Sequence, residues 1–189
     1  MKLLQGTLIL SPASFLSTTQ KKIADNKIVI LKIIPLISSS LVRYLDSRLI
    51  PLSVASLYCT EVEYRVGERS YFAIGFENNA GGYELRSPRF KGSSSPKTFR
   101  HICKGQTSLC VFEGFFDFLS FLILYPDWVE AHDHLILNSL SHFERARSVM
   151  EQYASVLLFL DNDPAGRNAS ACAISHSSRY QDQGRLYTG

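Results

Sequence analysis

Apolar residues in the second half of the chain recur in short blocks, each followed by a stretch of helical period. A run at 107–112 precedes a helix predicted at 115–124, a run at 134–138 precedes one at 141–152, and a run at 156–160 precedes one at 164–177. Strict alternation of strand and helix argues for βαβ crossovers and a parallel sheet. The first half has a different period. Val62, Tyr64 and Val66 alternate with polar residues, Gly67 and Glu68 make a turn, and 71–76 returns as a strand. A second turn at 78–82 leads into a strand at 83–86, which predicts an antiparallel meander. Upstream, the serines at 38–40 are good helix caps, and Leu41, Leu45 and Leu49 follow at helical spacing beside Tyr44. Pro51 can open a second helical turn reaching about residue 58.

Two segments are less regular. Residues 91–98, Lys-Gly-Ser-Ser-Ser-Pro-Lys-Thr, predict a flexible loop at the junction of two lobes. Within 1–37, residues 8–10 and 28–34 read either as short strands or as poorly ordered segments. The expected fold class is α/β: a parallel sheet flanked by helices, preceded by a smaller α+β basic lobe containing the meander. The expected divisions are an N-terminal segment 1–37, a basic lobe 38–106 and a second domain 107–189.

With 189 residues and 46% hydrophobic content, the chain can build a sizeable core, and wholesale disorder is excluded. The net charge of +3 conceals an asymmetry. Residues 1–106 hold 15 Lys+Arg against 7 Asp+Glu, whereas 107–189 hold 5 against 10. A basic half suits a polyanion and an acidic half suits cations. The four cysteines, Cys59, Cys103, Cys110 and Cys172, form no C-x-x-C pair. A zinc ribbon and a secreted disulfide framework are therefore not expected, and reduced thiols are. The most apolar run, 28–37, contains Lys32 and Pro35 and is too short to span a bilayer. No apolar leader with a small-residue cleavage site follows Met1. A cytoplasmic protein without a membrane partner is expected.

The chemistry-bearing residues cluster in two acidic turns. Glu113-Gly114-Phe115-Phe116-Asp117 follows the first predicted parallel strand, and Asp161-Asn162-Asp163-Pro164-Ala165-Gly166 follows the third. Open parallel sheets bind ligands beyond the carboxyl ends of their strands. Asp161 and Asp163, two apart, point the same way in an extended segment. Hard carboxylates so placed suit Mg²⁺, and Glu113 can complete the metal shell or act as a general base. Gly114 and Gly166 allow sharp turns and close approach of a phosphate to the following helix. Helix capping is the plainer role for these acids, Asp117 above all, but one cap per helix does not require three of them. Between Leu85 and Gln106 lie six cations and no acid: Arg86, Arg89, Lys91, Lys97, Arg100 and Lys104. Such a run attracts a phosphate backbone without reading sequence. His132 and His134 lack Cys or Glu partners at ligand spacing, and His101 with Cys103 and Cys110 reads no more strongly as a metal site.

Taken together, Glu113, Gly114 and Asp117, then Asn138 and Ser139, then Asp161, Asp163, Ala165, Gly166 and Ala169 resemble a TOPRIM domain of the bacterial DNA primase type. The particular resemblance is to short primase-like proteins of bacterial mobile elements. It extends upstream to residues 74–76, 81–86 and 90–92, which resemble the basic lobe preceding TOPRIM in primases, and covers about residues 40–180. The resemblance implies a nucleotidyltransferase that synthesises RNA primers on single-stranded DNA for replication. Glu113 would serve as catalytic acid or base, Asp161 and Asp163 as the metal pair, and Asp117 as a supporting acid. Arg86, Arg89, Lys91 and Lys97 would contact template or nucleotide, with Arg86 and Lys91 matching the upstream motif. It implies Mg²⁺ or Mn²⁺ as cofactor, no zinc in this chain, and single-stranded DNA and nucleoside triphosphates as partners. A helicase or a separate zinc-bearing module would complete the system. Relative to the family, a domain cut short at the C-terminus is expected. Two other readings use the same residues: a TOPRIM-type nuclease, and a non-catalytic DNA-binding accessory protein.

Overall fold

The computed structural model describes residues 27–184. Residues 8–10 and the end of the segment after Tyr180 lie outside them.

The meander is present and longer than expected. Strands β1 (Ile28–Ile34), β2 (Cys59–Val66), β3 (Arg69–Glu77), β4 (Tyr83–Ser87) and β5 (Phe90–Ser93) pair antiparallel in sequential order. The β2–β3 hairpin turns at Gly67, whose φ of 59° lies in the left-handed region that favours glycine. Helices α1 (Ser39–Ser47) and α2 (Leu52–Ala55) occupy the connection from β1 to β2. The start of α1 is satisfied from the sheet rather than by its own serines. The Glu61 carboxylate accepts from the Ser38 N–H at 2.9 Å, the Ser38 hydroxyl at 2.5 Å and the Ile37 N–H at 3.3 Å. A carboxylate there meets unpaired amides and the positive end of the helix dipole. Leu49, expected on the apolar face of α1, instead lies beyond its end, with φ 56° and 85% exposure.

The second sheet runs β10-β9-β7-β8-β6. Its members are β6 (Arg100–Ile102), β7 (Ser108–Phe112), β8 (Asp133–Ile136), β9 (Ser155–Phe159) and β10 (Tyr180–Asp182). Strands β7 to β10 are parallel, as the alternation predicts. Helices α3 (Phe115–Leu124), α4 (Pro126–Val129), α5 (Phe143–Met150) and α6 (Pro164–His176), with a 3₁₀ turn at Leu140–His142, form the connections. The antiparallel edge strand β6 is an addition that the sequence pattern does not show.

Strand alternation sorts the core. Leu109, Val111, Val156 and Leu158 face α5 and α6, packing with Ala146, Met150 and Ala173. Cys110, Phe112, Leu157 and Phe159 face the other way, onto Phe115, Phe118 and Leu119 of α3. Leu41 and Leu45 of α1 and Ile74 and Phe76 of β3 belong to that same cluster, so the two lobes share one core. The Phe76 ring stacks on Phe115 with centroids 5.2 Å apart.

The junction expected to be a flexible loop at 91–98 is largely tied down. Its first residues belong to β5. Ser94 is buried and exchanges hydrogen bonds with the Tyr83 backbone. Asn78 donates to the Pro96 carbonyl at 2.8 Å. The cause is the turn at 78–82, whose polar groups capture the passing chain. No described helix is long and apolar enough to cross a membrane.

Phe112 touches the rings of Phe118, Phe121, Phe159 and His134 at the centre of the shared core. Phe112→Ala should cost about 3–5 kcal/mol. Denaturant unfolding, followed by fluorescence and by far-ultraviolet circular dichroism, checks the magnitude and reports whether both lobes lose structure together.

Candidate active site and metal centre

The order of the second sheet creates a switch point. From β7 the chain moves to β8 on one side and then crosses to β9 on the other. Phe112 of β7 is in register with Phe159 of β9, so the turns that follow the two strands emerge side by side. The backbone N–H of Asp161 donates to Glu113 Oε2 at 3.3 Å. Ligands bind at such positions in open α/β sheets because the diverging connections leave a crevice.

The crevice is a cavity of about 540 Å³ between the two sheets. Glu113, Gly114, Asp117 and Asp161 form one wall, and Asn138, Ser139, Ser141 and His142 from the turn after β8 extend it. Glu84, Arg86, Lys91, Gly92 and Ser93 of β4 and β5 form the facing wall, with Lys97 of the junction and Arg48 at the end of α1. Three of the four cations expected to contact nucleic acid therefore converge on the acidic turns. The fourth, Arg89, is exposed in the β4–β5 turn and borders a different, mainly apolar groove with Tyr64 and Phe90.

The four acids divide by role. Asp117 Oδ2 accepts from the Gly114 N–H at 3.1 Å, and Asp163 Oδ1 accepts from the Gly166 N–H at 2.8 Å, capping α3 and α6 respectively. Asp163 does not line the cavity, whereas Asp117 does. Glu113 and Asp161 cap nothing and project into the crevice. Gly166 is required at its position because a Cβ would collide with the carbonyl oxygen of Asp161. Its immediate effect is thus to seat α6 against the Asp161 backbone. A Cβ at Gly114 would lie 2.8 Å from Asp117 Oδ2.

Burial pushes the Glu113 carboxyl upward, and the charges of Asp161, Asp163 and Asp117 add to that. Burial pushes Asp117 up to about 6, with Asp161 again contributing. Among the described residues no lysine or arginine forms an ion pair with any of these four acids. Unpaired, mutually repelling carboxylates are a donor set of the kind that suits a hard divalent cation. On the facing wall, burial pushes Glu84 up to about 7 against the pull of Arg86, Lys97 and Lys91, and its carboxylate lies 3.6 Å from Arg86. Arg86 also lies over the Phe115 ring, 5.6 Å from its centroid. Neither Glu84 nor Arg48 was picked out as functional from sequence. Glu84 sits in the upstream motif without metal-ligand spacing, and Arg48 reaches the cavity only through the packing of α1.

Residues 110–186 match the Toprim-like family model, and residues 30–95 match a domain of unknown function (DUF8464). No curated protein matches the chain. Among solved structures, the primase fragment of the bacteriophage T7 primase-helicase protein is similar, with a TM-score of 0.52 at 18% identity. The match covers 73% of this chain and 62% of that one, so the chain spans less than two thirds of the fragment's length. The acidic turns of the crevice thus lie in the part of an α/β chain that matches the Toprim-like family model. More particularly, the chain joins a Toprim-like domain to an antiparallel lobe in a primase-type fold.

An Asp in an unfolded chain titrates near ~3.9. Between that value and about 6 the folded protein holds a proton on Asp117 that the unfolded chain has lost. Stability attributable to this group therefore falls as pH rises through that window, and the deficit persists above it. Asp117→Asn keeps an acceptor for the Gly114 amide and removes the buried charge. It should raise stability at pH 8 by on the order of 1–3 kcal/mol and flatten the pH dependence between about 4 and 6. Thermal unfolding in chelator across pH 4–8 tests both effects.

Proposed function

We propose that the chain is a primase-like nucleotidyltransferase that joins nucleotides on a single-stranded DNA template. The observation that carries this reading is one cavity walled by Glu113 and Asp161 on one side and by Arg86, Lys91 and Lys97 on the other. Acids alone would serve many metal-dependent reactions. Cations facing them across a crevice supply the place for a phosphate-rich substrate.

Glu113, Asp161 and Asp117 would hold Mg²⁺ or Mn²⁺, with Asp163 setting the helix behind them. The cation would stabilise charge on the attacking and leaving oxygens of an in-line displacement. Glu113, at the end of β7 beside the cavity, would accept the proton of a 3′-hydroxyl. That oxygen attacks the α-phosphorus, the bond to the bridging oxygen breaks, and pyrophosphate leaves. Arg86, Lys91 and Lys97 would orient the triphosphate and the template backbone and neutralise the departing charge. Arg86 is held for this by its stacking on Phe115 and its bonds to the Leu85 and Gly92 carbonyls. Replication is the process such an activity would serve, with a helicase or a zinc-bearing module as its partner.

With single-stranded DNA, ribonucleoside triphosphates and Mg²⁺, the wild-type chain should form short oligonucleotides. Glu113→Gln and Asp161→Asn should each lower the rate at least ~10²-fold while leaving the fold intact. Template shortening without nucleotide incorporation would instead assign a nuclease that uses the same acids. Unchanged DNA binding with no chemistry under any metal would leave only a binding role.

Lys91→Ala and Lys97→Ala should weaken DNA binding similarly for all template sequences. Each should reduce the slope of log K against log salt by about 0.7, the value for one single-strand phosphate contact. Fluorescence anisotropy across a salt series measures this. Arg89→Ala, whose side chain lies away from the acids, is the matched control.

A further inference from the structure

At the opposite end of the second sheet, a different set of donors converges. His101 lies on β6, Cys103 follows two residues later, and Asp133 opens β8. Ile102 pairs with His134 across the antiparallel edge, which sets Cys103 opposite Asp133 and turns His101 to the same face. One ligand atom from each of His101, Cys103 and Asp133 lies within 4.8 Å of the others. Tyr153 closes the group: its hydroxyl is 2.7 Å from His101 Nε2 and donates to Asp133 Oδ2 at 2.7 Å.

A hydrogen-bond network accounts for part of this. Asp133 Oδ1 accepts from the Lys104 and Gln106 amides at 2.8 and 3.2 Å, anchoring the turn after β6. The Cys103 thiol joins this network from its exposed edge, bonding the buried Asp133 carboxylate and the Tyr153 hydroxyl. A cation that replaces the thiol proton would take up the acceptor site that Cys103 fills on Asp133 and leave the bonds to the two amides in place.

The geometry points to a transition-metal site formed by His101, Cys103 and Asp133, taking Zn²⁺ or a similar borderline-soft divalent ion. Nitrogen, thiolate and carboxylate oxygen are the donors zinc selects, in tetrahedral arrangement, with Tyr153 or a water at the fourth position. Binding would draw the donors closer, a movement open to the exposed Cys103, and release the thiol proton. Asp133 begins its strand whereas Glu113 and Asp161 follow theirs, so this site is separate from the acidic crevice. It would clip β6, and with it the segment carrying Lys97, to the sheet edge. The sequence hides it because the third ligand lies 30 positions after Cys103, outside any short motif.

The test is titration of the metal-free full chain with Co²⁺, followed by thiolate-to-cobalt charge-transfer absorption and competition with Zn²⁺. One equivalent should produce the band and zinc should displace it. Cys103→Ser should abolish the band, Tyr153→Phe should weaken binding about tenfold, and Cys172→Ser should leave it unchanged. Circular dichroism confirms that the variants are folded. No band at stoichiometric cobalt would overturn the proposal. So would a band that survives Cys103→Ser and vanishes with Cys172→Ser, since Cys172 lies 3.8 Å from His176 on α6.

Discussion

The stacking of Phe76 on Phe115 is the contact on which the rest of the molecule depends. Phe76 comes from the antiparallel meander, and Phe115 is the first residue of the helix that follows the Glu113 turn. Around this pair α1, α2, α3 and the inner faces of both sheets form one cluster. Without it, the cations of β4 and β5 and the acids of β7 and β9 would belong to separate bodies. With it, they face each other across a fixed gap. Arg86 shows the coupling at one residue, because the Phe115 ring that joins the lobes also supports its guanidinium.

The acidic wall costs stability and is held in place all the same. Asp117 recovers part of that cost by capping α3, as Asp163, behind the wall, caps α6. Glu113 and Asp161 cap no helix, and burial, with the charge of Asp161 added, pushes the Glu113 carboxyl upward. A cluster of carboxylates at a crevice, without ion-pair partners, is the pattern expected where a fold is shaped for a ligand rather than for its own stability. The opposing wall differs, for there Glu84 has Arg86 as an ion-pair partner, and burial still pushes its carboxyl up to about 7.

Much of this was legible in the chain because the relevant signals are local. Alternation at Val62, Tyr64 and Val66 gave the meander, and the three apolar runs gave the parallel strands, since burial on one or both faces writes itself directly into composition. The acidic turns were legible because they sit at strand ends. What escaped was decided by distant partners. Strand β6 has three residues and acquires its identity only from β8. Strand β5 lies partly in a Gly/Ser stretch whose pairing with β4 no propensity reveals. Asp161 and Asp163 share a side in an extended chain, yet the helix start at Pro164 turns Asp163 to its own backbone. Arg89 counts with its neighbours in sequence, but the β4–β5 turn carries it away from them.

The two walls of the crevice differ in how firmly they are built. The acids extend from central strands covered on both faces, where local opening requires disruption of the core. Lys91 sits on β5, a four-residue strand at the margin of its sheet, and Lys97 on the segment beyond it. Substitutions in that margin disturb few neighbours, whereas substitutions behind Glu113 and Asp161 disturb many. Under the proposed function, the chemistry would sit on the firm wall and the grip on the loose one. Over evolutionary time such a grip could be retuned to new templates while the chemistry stayed where it is.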